Sequence, residues 1–178
     1  MYSYTYYCSP VGRLLLAGAD GKLTGVWIEG QKYYGRSAPE TMVFDDGLHI
    51  FREARQWLDR YFSGGRPAAA ELPLAPSGSA FWQMVWGFLR EIPYGEVTTY
   101  GEIAKKVAAE TGRPMSGQAV GGAVGHNPIS IIIPCHRVVG ANGSLTGYAG
   151  GLAVKRRLLE LEGVDVSRLH TPKTGTAL

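Results

Sequence analysis

The chain has 178 residues, 45% of them hydrophobic and 19% charged, which favours a globular protein with a real core and leaves no apolar run near the roughly 18 residues of a membrane span. Its two cysteines, Cys8 and Cys135, are too few for a disulfide framework, so we expect a cytoplasmic protein. The net charge of +3 lies in residues 77–178, because residues 1–76 carry eight basic and eight acidic side chains; an excess this small is compatible with DNA binding but does not indicate it alone.

The amino-terminal part of the chain predicts a small sheet followed by a helix. Apolar runs bounded by turn residues predict three strands, over residues 2–7, 14–17 and 23–28. The Asp20-Gly21 pair predicts a tight hairpin turn between the second and third strands. Residues 31–46 have no regular pattern, and apolar side chains at helical spacing then predict a helix over residues 48–62.

A linker divides the chain into two predicted domains. Residues 66–78 contain three prolines and predict an irregular connection, which places the boundary between domains 1–76 and 77–178. In the second domain, Ser79 predicts the amino-terminal cap of a helix that runs to about residue 91.

Two short helices joined by a turn predict a helix-turn-helix. Thr99 and Glu102 have the spacing of a capping box, which predicts a helix from there to about residue 110. After a turn, a second helix is predicted over residues 117–125. Two glycines inside this second helix cost about 1 kcal/mol each relative to alanine, so its small side chains indicate close approach either to another helix or to a nucleic acid.

A cysteine follows a β-branched run. Residues 129–133 predict an extended segment, and Pro134 restricts the backbone that enters Cys135. A rigidly held thiol beside His136 indicates a nucleophile; the alternative is a small buried side chain at the end of a core strand. Adjacent residues of a strand point to opposite faces, so we expect a bridging water between Cys135 and His136. A closing helix is predicted over residues 152–162.

Five motifs together carry a resemblance to a known family. They are Ile-Ile-Ile-Pro-Cys-His-Arg-Val-Val at 131–139, Gln-Ala-Val-Gly-Gly-Ala-Val at 118–124, His-Asn-Pro at 126–128, Gly-Tyr-Ala-Gly-Gly-Leu-Ala-Val-Lys at 147–155 and Leu-Leu-Glu-Leu-Glu-Gly at 158–163. The chain resembles the O6-alkylguanine-DNA alkyltransferases, densely over residues 79–163 and more loosely over residues 1–76. The resemblance implies an α+β fold: a small amino-terminal sheet-plus-helix domain, ribonuclease H-like, followed by a mainly helical, winged-helix-like domain with the helix-turn-helix.

The resemblance implies direct reversal of DNA damage. Members of this family transfer an alkyl group from O6 of guanine, and also from O4 of thymine, to their own cysteine after rotating the nucleotide out of double-stranded DNA. They bind through the minor groove, act once because the thioether product is not hydrolysed, and need no cofactor. For this chain the resemblance therefore implies a DNA partner, a monomer in solution and no membrane partner.

The family's pattern assigns catalytic roles to Cys135, His136, Glu162, Tyr100 and Asn127. Cys135 would accept the alkyl group, His136 would act as its base, and Glu162 would orient the imidazole. Tyr100 would donate to guanine N3, which stabilises the charge left on the base. Asn127 would tie the second helix of the helix-turn-helix to the cysteine segment.

The resemblance also implies contacts with DNA and with the flipped base. The implied residues are Gln118, Ala119, Gly121, Gly122, Ala123, Arg137, Val138, Tyr148, Ala149 and Gly150. The Val138 carbonyl would accept from the exocyclic amine, Tyr148 would wall the pocket, and the Ala149 amide would donate to O6. Gln118 stands where family members place an arginine, so we expect weaker DNA affinity or slower flipping; the alternative is an exposed residue at a helix start.

The sequence also bears on metal binding and on two alternative functions. Some relatives carry a structural zinc in the amino-terminal domain, but Cys8 and His49 are the only cysteine and histidine in residues 1–76, so we expect no metal site. One rival function is a lesion sensor that binds alkylguanine without reacting, although such proteins typically have tryptophan in place of Cys135. The other is an unrelated Cys/His hydrolase, against which the missing glycine-rich nucleophile elbow argues.

Overall fold

The computed structural model describes residues 1–172, and its amino-terminal half is a twisted sheet covered by one helix. The strands are β1 (Ser3–Ser9), β2 (Gly12–Ala19), β3 (Lys22–Ile28) and β4 (Val43–Phe44), in the order β3-β2-β1-β4. β1, β2 and β3 form an antiparallel meander. The predicted hairpin turn is confirmed, since Asp20 and Gly21 both have positive φ, 51° and 73°, as the tightest hairpin turns require.

The strand β4 was not expected from the sequence. It lies within a segment predicted to be irregular, and it pairs in parallel with the first two residues of β1. A strand of two residues is too short to show a period, so pairing with β1 rather than a local pattern defines it. The rest of residues 31–46 forms turns, as predicted.

The helix α1 (His49–Phe62) presents its apolar face to the sheet and to the carboxyl-terminal half. The prediction of this helix is confirmed, with Leu48 as the residue just before it, in an extended conformation. The buried side chains are Ile50, Phe51, Ala54, Trp57, Leu58 and Tyr61. Tyr61 lies in the last turn, and its hydroxyl enters the candidate site described below.

The carboxyl-terminal half is mainly helical. Its elements are α2 (Ala80–Arg90), β5 (Thr98–Thr99), α3 (Tyr100–Thr111), α4 (Gly117–Gly125), β6 (Val138–Val139) and α5 (Leu152–Leu161). Ser79 caps α2 as predicted, accepting from the Trp82 amide at 3.2 Å. Thr99 caps α3 by accepting from the Glu102 amide, but the Glu102 carboxylate pairs with Lys105 at 2.8 Å, so an ion pair replaces half of the predicted capping box.

The predicted helix-turn-helix is α3 and α4. Gly112 ends α3 in the left-handed region, with φ 67°, and Ser116 caps α4 by accepting from the Ala119 amide at 3.1 Å. The inner face of α4 buries Val120, Ala123 and Val124. Trp86 of α2 donates from its indole nitrogen to the Ala123 carbonyl at 2.8 Å, which fixes α4 against the rest of the half.

The prediction that residues 129–133 are extended is wrong. Ile129 pairs with the edge of β3, where Val26 donates to the Pro128 carbonyl and accepts from the Ser130 amide. Beyond it the chain turns, since Ile132 donates to the Ser130 carbonyl at 2.8 Å and Ile131 has φ 72°. Positive φ at a β-branched residue costs about 1–3 kcal/mol and persists only where surrounding contacts enforce it. The β-branched run reflects complete burial of this segment rather than a strand.

One buried cluster joins the two halves. It runs from the sheet and α1 through α2, α3 and α4 to the cysteine segment and α5. The domain boundary after residue 76 stays a prediction, and across it the halves share a continuous core. In the part of the chain that the structure describes, no helix combines the length and the apolar character needed to cross a bilayer.

Candidate active site

Cys135 sits on a tightly turned backbone. Pro134 has φ −81° and ψ 65°, and the Cys135 amide donates to the Ile133 carbonyl at 2.8 Å, which is an inverse γ-turn. A short 3-10 turn then covers Cys135–Arg137. The thiol is therefore held rigidly, as expected, but by two consecutive turns rather than by the end of a strand.

Asn127 fixes this segment from the end of α4. Its side-chain amide donates to the carbonyls of Ile133 at 2.8 Å and Ile129 at 3.3 Å, and its oxygen accepts from the Ile129 amide at 3.0 Å. The side chain is buried, and its polar amide near the Cys135 sulfur lowers the pKa of the thiol. Asn127 thus links α4 to the cysteine turn in the way the sequence predicts.

His136 is completely buried and faces a carboxylate. Its Nε2 lies 2.6 Å from Glu162 Oε1, and the Tyr61 hydroxyl donates to the same oxygen at 2.7 Å. Burial lowers the pKa of His136 and outweighs the opposite effect of Glu162, so the imidazole is neutral at pH 7. An ionised carboxylate only accepts, so the single ring proton lies on Nε2 and Nδ1 keeps its lone pair. Among the described residues Nδ1 has no hydrogen-bond partner.

Glu162 is also bound by Arg137. Arg137 donates from Nε to Oε2 at 2.8 Å and from Nη2 to Oε1 at 2.9 Å, while its Nη1 donates to the Ile92 carbonyl. The Gly95 amide donates to Oε2 at 3.2 Å. Burial alone would raise the pKa of Glu162, but the hydrogen bonds from His136 and Arg137 and the positive charge of Arg137 hold it at about 2.

The environment of the thiol is mixed. Cys135 is 5% exposed, and burial raises its pKa, while Asn127, the charge of Lys155 and the backbone amides of Cys135 and His136 act in the opposite direction. Lys155 is itself fully buried and donates to the carbonyls of Val138 at 2.5 Å and Thr146 at 2.8 Å. Burial lowers the pKa of Lys155 to about 8, so it is mainly protonated at pH 7.

Residues 146–151, here called the substrate loop, include a buried neighbour of the thiol, Tyr148. Tyr100 donates its hydroxyl to the Thr146 carbonyl at 2.8 Å, and a Cβ added to Gly147 would lie 2.6 Å from that hydroxyl. Tyr148 is 2% exposed and packs in the same cluster as Cys135. Burial, and the negative charge of Cys135 when it is ionised, raise the pKa of both tyrosines. Because Cys135 is only 5% exposed, we expect a guanine to reach the thiol only after the substrate loop moves.

The outer face of α4 is exposed and almost free of side chains. Gln118, Ala119 and Gly122 face solvent, and a Cβ added to Gly122 would meet no atom within 4 Å. Packing against another helix therefore does not explain Gly122. At Gly121 an added Cβ would touch the Tyr100 ring at 3.9 Å, an ordinary contact.

Two residues expected to contact DNA face inward instead. The Ala123 side chain is buried in the core, where its own helix packs on α2. The Arg137 side chain is 8% exposed and bound to Glu162, because the 3-10 turn directs it toward α5 rather than toward the surface of α4. Val138 is also buried, with its carbonyl on Lys155, whereas Ala149 and Gly150 lie in the substrate loop.

Sequence reasoning missed Lys155 and Tyr61. The stripe Leu152, Lys155, Leu159 and Glu162 follows the spacing of one helix face, so a lysine at its second position was a signal of a buried, partnered charge. Tyr61 belongs to the apolar side chains at helical spacing that predict α1, but no local pattern indicates that its hydroxyl meets Glu162 across the molecule.

Metal ligands do not cluster within residues 1–172, where no three His, Cys, Asp or Glu side chains lie close enough to hold an ion. Cys8 is an exposed free thiol and Cys135 a buried one. His49 pairs with Glu53 at 3.3 Å, and His170 Nε2 lies 3.1 Å from the Asn142 carbonyl.

Sequence comparisons match this chain to two models of one family and to relatives that share one name. The chain matches the family models 6-O-methylguanine DNA methyltransferase, ribonuclease-like domain, over residues 2–76, and 6-O-methylguanine DNA methyltransferase, DNA binding domain, over residues 80–164. The methylated-DNA–protein-cysteine methyltransferase of Haemophilus influenzae is 47% identical over 172 residues, which cover 96% of this chain and 92% of the relative. The protein of the same name from Methanosarcina acetivorans is 47% identical and covers 90% of this chain and 97% of its own length.

Solved structures agree with this assignment. The crystal structure of Mycobacterium tuberculosis OGT in complex with DNA superposes with a TM-score of 0.78 and 43% identity, over 94% of each chain. The Mycobacterium tuberculosis O6-methylguanine methyltransferase gives a TM-score of 0.76 and 42% identity, over 98% of this chain and 97% of that one. With both halves matched and identity above two fifths over nearly the whole length, the chain belongs to the 6-O-methylguanine DNA methyltransferase family.

Proposed function

We propose that this protein repairs alkylated DNA by direct reversal, moving an alkyl group from O6 of guanine in double-stranded DNA to Cys135. The observation that carries the proposal is a rigidly turned, buried Cys135 beside a neutral His136 that is bound to an ionised Glu162. Relatives 47% identical over most of their length are named methylated-DNA–protein-cysteine methyltransferases, and a structural neighbour was solved in complex with DNA. DNA is the partner and the protein is a methyltransferase.

Activation of the thiol begins with its proton. His136 Nδ1 has a lone pair and no partner among the described side chains, so it accepts the Cys135 proton through a bridging water. Glu162 then stabilises the imidazolium, because its carboxylate is already held in the ionised form by Arg137. Asn127 and the ammonium of Lys155 stabilise the thiolate, which burial alone would disfavour.

The transfer is a single displacement. A lone pair of the Cys135 sulfur forms the S–C bond while the C–O6 bond breaks, and the electron pair of that bond remains on guanine. The Tyr100 hydroxyl, which donates to the Thr146 carbonyl in the closed loop, donates to guanine N3 once the loop has moved. Guanine takes its proton from the Tyr100 hydroxyl, and the His136 imidazolium returns a proton to Tyr100 through water, so the net result is that the proton lost by the thiol is on the base; the products are guanine and an S-alkyl cysteine. With no way to cleave the thioether, each molecule acts once.

The flipped base occupies the space under the substrate loop. Tyr148 walls this space, the Ala149 amide donates to O6, and Gly150 leaves room beside the Tyr148 ring, where an added Cβ would lie 2.7 Å from a ring carbon. The Val138 carbonyl accepts from the exocyclic amine with its second lone pair, since the first accepts from Lys155. O4-alkylthymine is a second substrate that fits the same chemistry.

The outer face of α4 binds the minor groove. That groove is about 6 Å wide and a helix about 10–12 Å across, so a face of Gly122 and Ala119 permits shallow contact that side chains would prevent. Gln118, exposed in the first turn, enters the gap left by the flipped nucleotide without adding charge toward the phosphates.

The proposal includes the protein's state and organisation. It acts as a monomer in the cytoplasm, where reducing conditions keep Cys135 a thiol. The amino-terminal part, residues 1–76, supports the site through Tyr61, and residues 77–178 carry the DNA-binding and acceptor functions.

Intact mass after incubation with a duplex containing O6-methylguanine tests the proposal. A gain of about 14 Da, one CH₂, mapped to Cys135 and ending at one equivalent, is the expected result. Cys135→Ser should abolish the gain and still bind the duplex. Tight binding of the wild-type protein without any adduct would instead make it a lesion sensor.

A further inference from the structure

Residues 31–37, here called the strap, follow β3 in the chain and contact the substrate loop. The Lys32 amide donates to the Ala149 carbonyl at 2.9 Å, so the tip of the loop is tied to the amino-terminal half. Gln31 anchors the start of the strap, because its side chain is buried and its oxygen accepts from the Ile28 amide at 2.6 Å. The buried Gln31 side chain therefore fixes the backbone next to Lys32, whose amide donates to Ala149.

An aromatic stack holds the middle of the strap. The Tyr33 ring lies on His126 at 4.5 Å with a 21° angle between planes, and His126 lies on Trp82 at 4.7 Å and 18°. His126 is the residue that ends α4, and its Nδ1 lies 2.7 Å from the Gly122 carbonyl. Tyr33 thus joins the strap to the carboxyl end of the helix that carries the exposed glycine face.

Tyr33 is held in a conformation that its side chain disfavours. Its φ is 61°, in the left-handed region that a bulky residue rarely adopts. Such a backbone persists where neighbouring contacts enforce it. Here the stack supplies those contacts, together with Lys32 Nζ and the Arg36 guanidinium, each 5.1 Å from the centre of the Tyr33 ring.

The strap is linked to the surroundings of the thiol through Ala149 and its neighbour Tyr148. Ala149 follows Tyr148, which is 2% exposed and packs in the same buried cluster as Cys135, itself 5% exposed. Any movement of the loop that uncovers Cys135 carries Ala149 away from the Lys32 amide or drags the strap with it. Dragging the strap in turn breaks the contact of Tyr33 with His126.

We propose that Tyr33 is a positioning residue that sets how readily the substrate loop opens over Cys135, by holding Lys32 against Ala149 from the end of α4. The effect of Tyr33 on alkyl transfer rests on the proposed function. The effect of Tyr33 on access to the Cys135 thiol does not. A weaker stack gives a loop that opens more often, which exposes the thiol and admits bulkier O6-alkyl groups.

The test compares Tyr33→Ala with Tyr33→Phe and Tyr34→Ala in the full chain. Phenylalanine keeps the stacked ring, and Tyr34, 39% exposed, is the adjacent tyrosine outside the stack. The readout is labelling of Cys135 by iodoacetamide without DNA, with the exposed Cys8 in the same molecule as the reference. An aromatic contact of this kind is worth about a fivefold change in a local equilibrium, so Tyr33→Ala should raise the Cys135-to-Cys8 labelling ratio about fivefold. Tyr33→Phe and Tyr34→Ala should leave the ratio unchanged.

Two further measurements separate loop opening from general damage. Hydrogen exchange at the Lys32 amide should quicken in Tyr33→Ala with the melting temperature unchanged, and His126→Ala, which removes the stack from the other side, should raise the ratio too. Unchanged labelling and unchanged Lys32 exchange in both variants would overturn the inference, even if wild-type protein repairs DNA. A raised ratio in a protein that never takes an alkyl group from DNA would sustain the strap and refute the proposed function.

Discussion

Replacing Glu162 by glutamine should remove most of the electrostatic stabilisation at the centre of the molecule. The carboxylate has no exposed side-chain surface and accepts from His136, Tyr61, Arg137 and the Gly95 amide. Its pKa of about 2, against an ordinary 4.5, corresponds at about 1.36 kcal/mol per pKa unit to about 3 kcal/mol of stability at pH 7. Removing one partner of a buried ion pair independently predicts a loss of about 3–5 kcal/mol, since Arg137 stays buried and charged.

The pH dependence of this stabilisation has a definite sign. Because the pKa of Glu162 is lower in the folded than in the unfolded protein, its contribution is complete above about 4.5 and is lost as the pH falls toward about 2. The difference in stability between wild type and Glu162→Gln should therefore be constant from pH 7 to about pH 5 and shrink below it.

Urea unfolding at pH 7 and at pH 3 measures both effects. With a slope of about 2 kcal/mol per molar urea, a 3 kcal/mol loss lowers the midpoint by about 1.5 M. Glu160→Gln is the matched control, since Glu160 lies on the same helix in a half-exposed pair with Arg156 at 3.5 Å and should change the midpoint little. A Glu162→Gln midpoint within experimental error of the Glu160→Gln one at pH 7, or a difference between the two midpoints that does not shrink at pH 3, would refute the reasoning.

Three further substitutions test the site. Gly122→Ala should stabilise α4 by about 1 kcal/mol yet weaken duplex binding, whereas Gly87→Ala, also open to solvent within a helix, should stabilise without affecting DNA; equal affinities in a gel-shift titration would contradict a DNA contact at Gly122. Lys155→Met should raise the pKa of the Cys135 thiol, moving its iodoacetamide labelling profile to higher pH, and an unmoved profile would remove Lys155 from thiolate stabilisation. Gln118→Arg should tighten duplex binding, measured by fluorescence anisotropy; no gain would show that position 118 does not enter the DNA.

The helices were predictable because their signals are local. Ser79, Thr99 and Ser116 stand where a side-chain oxygen can cap a helix, and each does so in the structure. Four-residue spacing on α1 predicted the buried face correctly. The Asp20-Gly21 turn is equally local, since its conformation depends on two residues that tolerate positive φ.

The cysteine segment was less predictable because its conformation depends on distant partners. Residues 129–133 include four isoleucines and have the composition of a strand, but the segment meets β3 at Ile129 and then turns under contacts from Asn127, so Ile131 adopts a conformation that its own side chain opposes. The direction of Arg137 followed from the 3-10 turn and was therefore mispredicted with it. The role of Tyr61 needed knowledge of how the two halves pack, which no sequence window contains.

The continuous core has a consequence for how the molecule can be divided. Val26 in β3 exchanges backbone hydrogen bonds with Pro128 and Ser130, and Tyr61 donates to Glu162. Residues of the amino-terminal half therefore hold the segments that form the reactive centre in the carboxyl-terminal half. A protein fragment of residues 77–178 alone would leave these polar groups without their hydrogen-bond partners. It would also expose the apolar surface around them to water. Two family models divide the chain between residues 76 and 80, yet the buried core and the contacts of the reactive centre cross that division.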